Sequence, residues 1–225
     1  SLSSNYINAV LFDKKGILWI ATTNGLNSYD PISGKFKLHY NITDEKNKIP
    51  SNYIYSLAED SNGNIWLGTE WGLKHFDTQT GKFYNYDFTE FINLPELNYK
   101  IIRKIFFDSD DNLWMSFSYS GLLKYNTKTK EKKFYLYDSE NNYISSLNDF
   151  LILDNDKILI GTWGTKALVY SKLNDSFSPW EGNKHFESTV ITNLEKDNKG
   201  HIWIVDHFNQ IIHFSADFKV LETYK

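Results

Sequence analysis

At 225 residues the chain suffices for one large or two small domains, and its 41% apolar and 17% aromatic content suits β structure. The formal charge of -4, from 24 basic and 28 acidic residues without a basic block, argues against a nucleic-acid backbone as partner. The lack of cysteine excludes disulfides, thiolate chemistry and Cys-ligated zinc, and no apolar run reaches membrane-spanning length.

The sequence opens inside a repeat, Ser1-Leu2-Ser3-Ser4-Asn5-Tyr6, so no leader peptide is expected there. The first core reads Gly16-Ile17-Leu18-Trp19-Ile20-Ala21-Thr22. It returns as Asn64-Ile65-Trp66-Leu67-Gly68-Thr69, Asn112-Leu113-Trp114-Met115-Ser116, Lys157-Ile158-Leu159-Ile160-Gly161-Thr162 and His201-Ile202-Trp203-Ile204-Val205-Asp206. Central positions 19, 66, 114, 159 and 203 are spaced by 47, 48, 45 and 44 residues, the mark of a tandem array. An Asp precedes each core, at 13, 60, 108, 154 and 197, with an aliphatic residue three places earlier. Gly-Leu follows the first three cores, and an aromatic follows all five: Tyr29, Phe76, Tyr125, Tyr170 and Phe214.

Each copy divides into four short strands separated by Gly-, Asn- and Asp-containing turns. In the second copy these are 53–59, 64–69, 72–77 and 82–87, and residues 88–98 form an enlarged connection. Within a core strand, Ile65 and Leu67 face one way and Trp66 the other. A sheet apolar on both faces needs a neighbour on each side, and radial stacking supplies it. The expected fold is an all-β propeller of four-stranded antiparallel blades at roughly 5–40, 52–88, 99–137, 147–180 and 189–224. The Trp positions lie between blades. A β-solenoid would have shorter rungs, and a sandwich would not repeat a Trp in phase.

The run from Asp60-Ser61-Asn62-Gly63 through Ile65-Trp66-Leu67-Gly68-Thr69 and Gly72-Leu73 to Thr80-Gly81-Lys82-Phe83 resembles the two-component regulator propeller repeat. The likeness is strong in the first three copies and weaker in the last two. It implies the periplasmic or extracellular sensor portion of a membrane-anchored hybrid histidine kinase, of the kind many Bacteroidetes use to detect polysaccharide fragments. It also implies phosphorelay modules elsewhere in a longer chain. Five copies suit an arc of a seven-bladed propeller, a five-bladed ring, or assembly with a second chain, including a homodimer.

Antiparallel hairpins place the turns between second and third strands on the same rim as the linkers between blades. That rim offers Asn24, Glu70, Trp71, Phe117, Ser118, Tyr119, Trp163, Thr165, His207, Phe208 and Asn209, with linker residues Asn52, Tyr53, Asn98, Tyr99, Asn142, Tyr143 and Phe186. Flat rings among polar groups suit an oligosaccharide, and suit a peptide or an adjoining propeller or sandwich domain nearly as well. Asn8, Tyr55, Arg103, Asp149 and Thr192, each five residues before the repeated Asp, are expected to line a central channel, where Arg103 would face an anion. The Asp-rich turns of the opposite rim lack the ligand spacing of a calcium loop, so hydrogen bonds to turn amides are the expected role. The six histidines show no metal spacing, and no nucleophile elbow or phosphate loop occurs. No catalytic residue, metal or cofactor is therefore expected. A propeller enzyme, such as a lyase or glycosidase, and a pure interaction scaffold are the alternatives.

Overall fold

A computed structural model describes residues 2–39, 53–86, 101–154 and 157–225. The expected connection at 88–98, and the linker residues Asn52, Asn98 and Tyr99, lie outside the described residues. Five four-stranded antiparallel sheets are described, each with its strands in chain order. The first contains β1 (Ile7–Phe12), β2 (Leu18–Thr22), β3 (Gly25–Asp30) and β4 (Lys35–His39). The second contains β5 (Ile54–Glu59), β6 (Ile65–Thr69), β7 (Gly72–Asp77) and β8 (Lys82–Tyr86). The third contains β9 (Ile102–Phe107), β10 (Asn112–Phe117), β11 (Leu122–Asn126) and β12 (Lys132–Tyr135). The fourth contains β13 (Leu147–Asp154), β14 (Lys157–Thr162), β15 (Ala167–Ser171) and β16 (Ser176–Pro179). The fifth contains β17 (Ile191–Lys196), β18 (Ile202–Asp206), β19 (Ile211–Phe214) and β20 (Val220–Tyr224). These sheets are the blades of an all-β propeller fold.

The chain divides into two compact units. Unit 1 comprises Ser1–Ser118 and Tyr125–Glu131; unit 2 comprises Tyr119–Lys124 and Lys132–Lys225.

In unit 1 the innermost strands β1, β5 and β9 lie side by side. The core between its first two sheets joins Trp19, Ala21 and Leu26 to Ile54, Ile65, Leu67 and Phe76, all buried. The indole face of one sheet thus meets the Ile/Leu face of the next, as the alternation of the core strand demands. Gly68 marks a tight approach, since a Cβ there would stand 2.5 Å from Ser56 Oγ and 2.9 Å from Ile102 Cγ2. The first sheet departs from two-sided burial: Val10, Phe12 and Phe36 are 61%, 63% and 50% exposed.

Unit 2 repeats the pattern. Leu159, in the Trp place of the fourth sheet, packs in one core with Ile191, Leu194, Ile202, Ile204, Ile212 and Phe214, and Trp180 and Phe186 join them. Trp180 and its neighbours therefore bring to this core the bulk that Leu159 lacks. Trp203 does not follow the expected burial. It is only half-buried, and its ring is covered within its own sheet by His213 and Tyr224.

Every innermost strand bulges after its first residue: the pairing shifts between Ile7 and Ala9, Ile54 and Ser56, Ile102 and Lys104, Leu147 and Asp149, and Ile191 and Asn193. In β13 a second shift follows, between Ile152 and Asp154. The extra residue displaces Asp154 by one place from its counterparts, so counting back from it misplaces the channel series. Asn148, not Asp149, matches Asn8. Asn8 Nδ2 donates to Ile54 O and Asn148 Nδ2 to Ile191 O, each at 2.8 Å, fastening one sheet to the next. Asp149 Oδ2 instead accepts from the Leu194 amide at 2.9 Å.

Candidate functional site

The repeated Asp is a structural clamp. Asp13 Oδ1 accepts from the amides of Lys15 and Ile17, while Oδ2 accepts from the Trp19 indole at 2.8 Å. Asp60 and Asp108 do the same, holding Trp66 at 2.9 Å and Trp114 at 2.8 Å. These carboxylates are committed to their own turns, as the turn-amide reading expects. Asp138 makes the same amide bonds in the linker after the third sheet, without an indole.

On the other rim, each turn between second and third strands donates one amide to the linker that enters its sheet. The pairs are Thr23 to Tyr6, Glu70 to Tyr53, Ser118 to Ile101, Trp163 to Ser146 and His207 to Val190, at 3.0–3.2 Å. Each rim turn is thus tied to its entering linker by a backbone hydrogen bond.

In unit 1, Asn24 is exposed and its amide reaches Ser3 O at 3.4 Å, which ties down the entering segment. Glu70 is half-buried, and Trp71 beside it is exposed. Arg103 is exposed; its guanidinium lies 4.6 Å from the centre of the Tyr55 ring, and Nε donates to Ser118 Oγ at 2.9 Å. Tyr53 stacks obliquely on Tyr55 at 4.7 Å. Burial pushes the Tyr55 phenol above its ordinary range, against the pull of the Arg103 charge. Arg103 is therefore an anchored cation with an aromatic floor.

Unit 2 brings four of the expected residues together. Tyr119, Trp163, His207 and Phe208 are all exposed. The Tyr119 amide donates to Ser146 Oγ at 2.9 Å and the Trp163 amide to Ser146 O at 3.0 Å, so one linker residue positions both turns. The Trp163 and His207 rings are 5.5 Å apart, and His207 and Phe208 are 6.2 Å apart. Tyr143, bonded through its hydroxyl to Tyr119 O at 2.8 Å, extends the aromatic surface. Beneath His207, Asp206 Oδ1 closes the turn by accepting from the amides of Phe208 and Gln210, and its buried Oδ2 has no hydrogen-bond partner.

Sequence reasoning missed a cleft of 430 Å³ on the opposite side of unit 1, lined by Lys15, Lys35, Lys37, His39, Trp19 and the 78–81 turn. His39 is buried there, bonded to Ser28 Oγ at 2.9 Å, and burial, aided by Lys37, drops its pKa to about 4. The alternation of β4 was the available signal, because it turns His39 inward beside Leu26 and Trp19.

Residues 1–24 and 48–71 match the family model described as two component regulator propeller. Those two stretches are therefore similar to two component regulator propeller repeats. No curated protein matches the chain. Among solved structures, the repeats align with the extracellular domain of BT3049 from B. thetaiotaomicron, assigned to a hybrid two component system, at a TM-score of 0.71 and 22% identity. The match covers 97% of this chain and 30% of that one. The extracellular domain of BT4673 from the same organism, assigned as a one component system, aligns at 0.70 and 19%, over 96% of this chain and 27% of that one. Virginiamycin B lyase from Staphylococcus aureus aligns at 0.73 and 14%, over 100% of this chain and 72% of that one. At these identities the likeness is one of fold. The chain spans less than a third of the two B. thetaiotaomicron domains it resembles in fold.

Proposed function

We propose that this propeller segment is the non-catalytic, ligand-sensing part of an extracellular signal-transduction sensor, and that its ligand is an oligosaccharide bound at the unit 2 rim. The observation that carries this is the exposed group Tyr119, Trp163, His207 and Phe208, mounted on backbone held by the linkers. A sugar ring presents C–H faces and hydroxyls, which pair with an indole face and with imidazole or tyrosine polar atoms. The regulator propeller match and the extracellular domains of similar fold support the sensor context. The group has no nucleophile held by a general base, which favours recognition over turnover.

The test is a glycan-array screen of the wild type against Trp163→Ala and Phe208→Ala. Recognition of a glycan that both substitutions weaken at least about tenfold supports the reading. No glycan bound, or binding that survives both changes, overturns it.

A further inference from the structure

We infer that the fifth sheet carries a divalent transition-metal site made by Asp197, His201 and His213. The metal-binding atoms of these three side chains all lie within 4.8 Å of one another, the only such group of three among the described residues. His201 Nδ1 is 3.1 Å from His213 Nε2 and 3.7 Å from Asp197 Oδ2. Two ligands of a tetrahedral zinc ion, each about 2.0–2.1 Å from the metal, stand about 3.3 Å apart. The cluster needs only small side-chain rotations to surround an ion.

Comparison with the other sheets shows what is special about this one. The place of His201 is held by Ile17, Asn64 and Asn112 in the first three sheets. The place of His213, cross-strand from the central residue, is held by Ser28, His75 and Val169 in the first, second and fourth. Histidine occupies both places only in the fifth. The carboxylate differs as well. Asp13, Asp60 and Asp108 hold their indoles at 2.8–2.9 Å, whereas Trp203 Nε1 stands 3.4 Å from Asp197 Oδ2. Asp197 Oδ1 stays fixed by the amides of Lys199 and His201, which leaves Oδ2 turned toward two imidazoles.

The supporting shell is also built. Trp203 stacks flat on His213, 3.8 Å between ring centres and 11° from parallel, and so sets the plane of that imidazole. The three side chains are half-buried, which leaves room for a water or a ligand atom in a fourth position. Two imidazoles and one carboxylate select zinc, and nickel or copper where available, over magnesium and calcium, which prefer all-oxygen sets. The histidine spacing hides the site from sequence, because His201 and His213 meet across the β18–β19 hairpin rather than along one strand.

Chelator-treated protein titrated with zinc chloride by calorimetry tests this, with His201→Asn and His213→Ser as variants whose residues already occupy the same places in sister sheets. The expected result is one zinc per chain, with each variant weakening the affinity at least about tenfold while retaining its β circular dichroism. His75→Asn and His207→Ala should leave binding unchanged. Replacing zinc by cobalt should give the visible absorption of a tetrahedral ion in the wild type and not in the variants. Failure to bind one equivalent, or binding that follows His75 or His207 instead, overturns the assignment.

Discussion

The second and fifth sheets use the same four positions differently. In the second, Asp60 holds the Trp66 indole at 2.9 Å, Trp66 is buried, and His75 lies against the indole with ring centres 4.8 Å apart. In the fifth, Asp197 and Trp203 stand 3.4 Å apart, Trp203 is half-buried, and His213 stacks on it and meets a second histidine. The difference teaches that the Asp–Trp clamp tightens where a neighbouring sheet buries the indole. Where that burial is partial, the bond to the indole is longer and the same carboxylate oxygen also faces two imidazoles.

Truncating the two indoles should separate the two sheets most strongly. Trp66→Ala should cost about 3–5 kcal/mol, because it empties a sealed site. Trp203→Ala should cost about 1–2 kcal/mol, because less area is lost from burial. Urea denaturation of both variants checks the ordering, and equal losses would contradict it. Removing the carboxylate comes next. Asp60→Ala strands a buried indole N–H and two turn amides and should cost about 3 kcal/mol, whereas Asp197→Ala should cost about 1 kcal/mol in the absence of metal.

The close approach of sheets comes next. Gly68→Ala should destabilise by about 1–3 kcal/mol, because the new methyl would press on Ser56 and on Ile102 of the next sheet. Gly161→Ala meets Ile191 in the same way, with Cγ2 at 2.8 Å, and should act similarly. Thermal unfolding of the two variants reads this directly.

An effect of similar size is one of pH. His39 titrates at about 4 in the folded chain, against an ordinary 6.5, and His75 is also lowered by burial despite the pull of Asp60. Between about pH 6.5 and 4 the unfolded chain takes up protons that the folded chain refuses. Stability contributed by the buried neutral imidazole is therefore full above about 6.5 and lost as pH falls toward 4, by about 1–3 kcal/mol for His39. His39→Gln should flatten the slope of stability against pH in that window. An unchanged slope would place the imidazole in water rather than against Trp19.

The repeat, the strand order and the shared rim of turns and linkers were legible because each follows from alternation and from turn residues. Trp71, Trp163 and Phe208 lie where their positions in turns put them, exposed. The innermost strand of the fourth copy reads one residue out of step, because the bulge in β13 moves Asp154 while its letter still fits the pattern. Trp203 carried the same letter as Trp66 but not the same burial, since exposure depends on what covers a sheet. The grouping of Trp163 with His207, and of His201 with His213, needed cross-strand and between-sheet distances that one-dimensional spacing does not hold.

The clamps from Asp13, Asp60 and Asp108 to their indoles each span six residues, and each hairpin closes within its own repeat. Most of the loop-closure entropy is therefore met locally before any sheet meets another. Such an array can begin to form at any of its modules and spread by contact. Amide hydrogens of the fifth sheet, where the clamp is slackest, should exchange with deuterium ahead of those in the second.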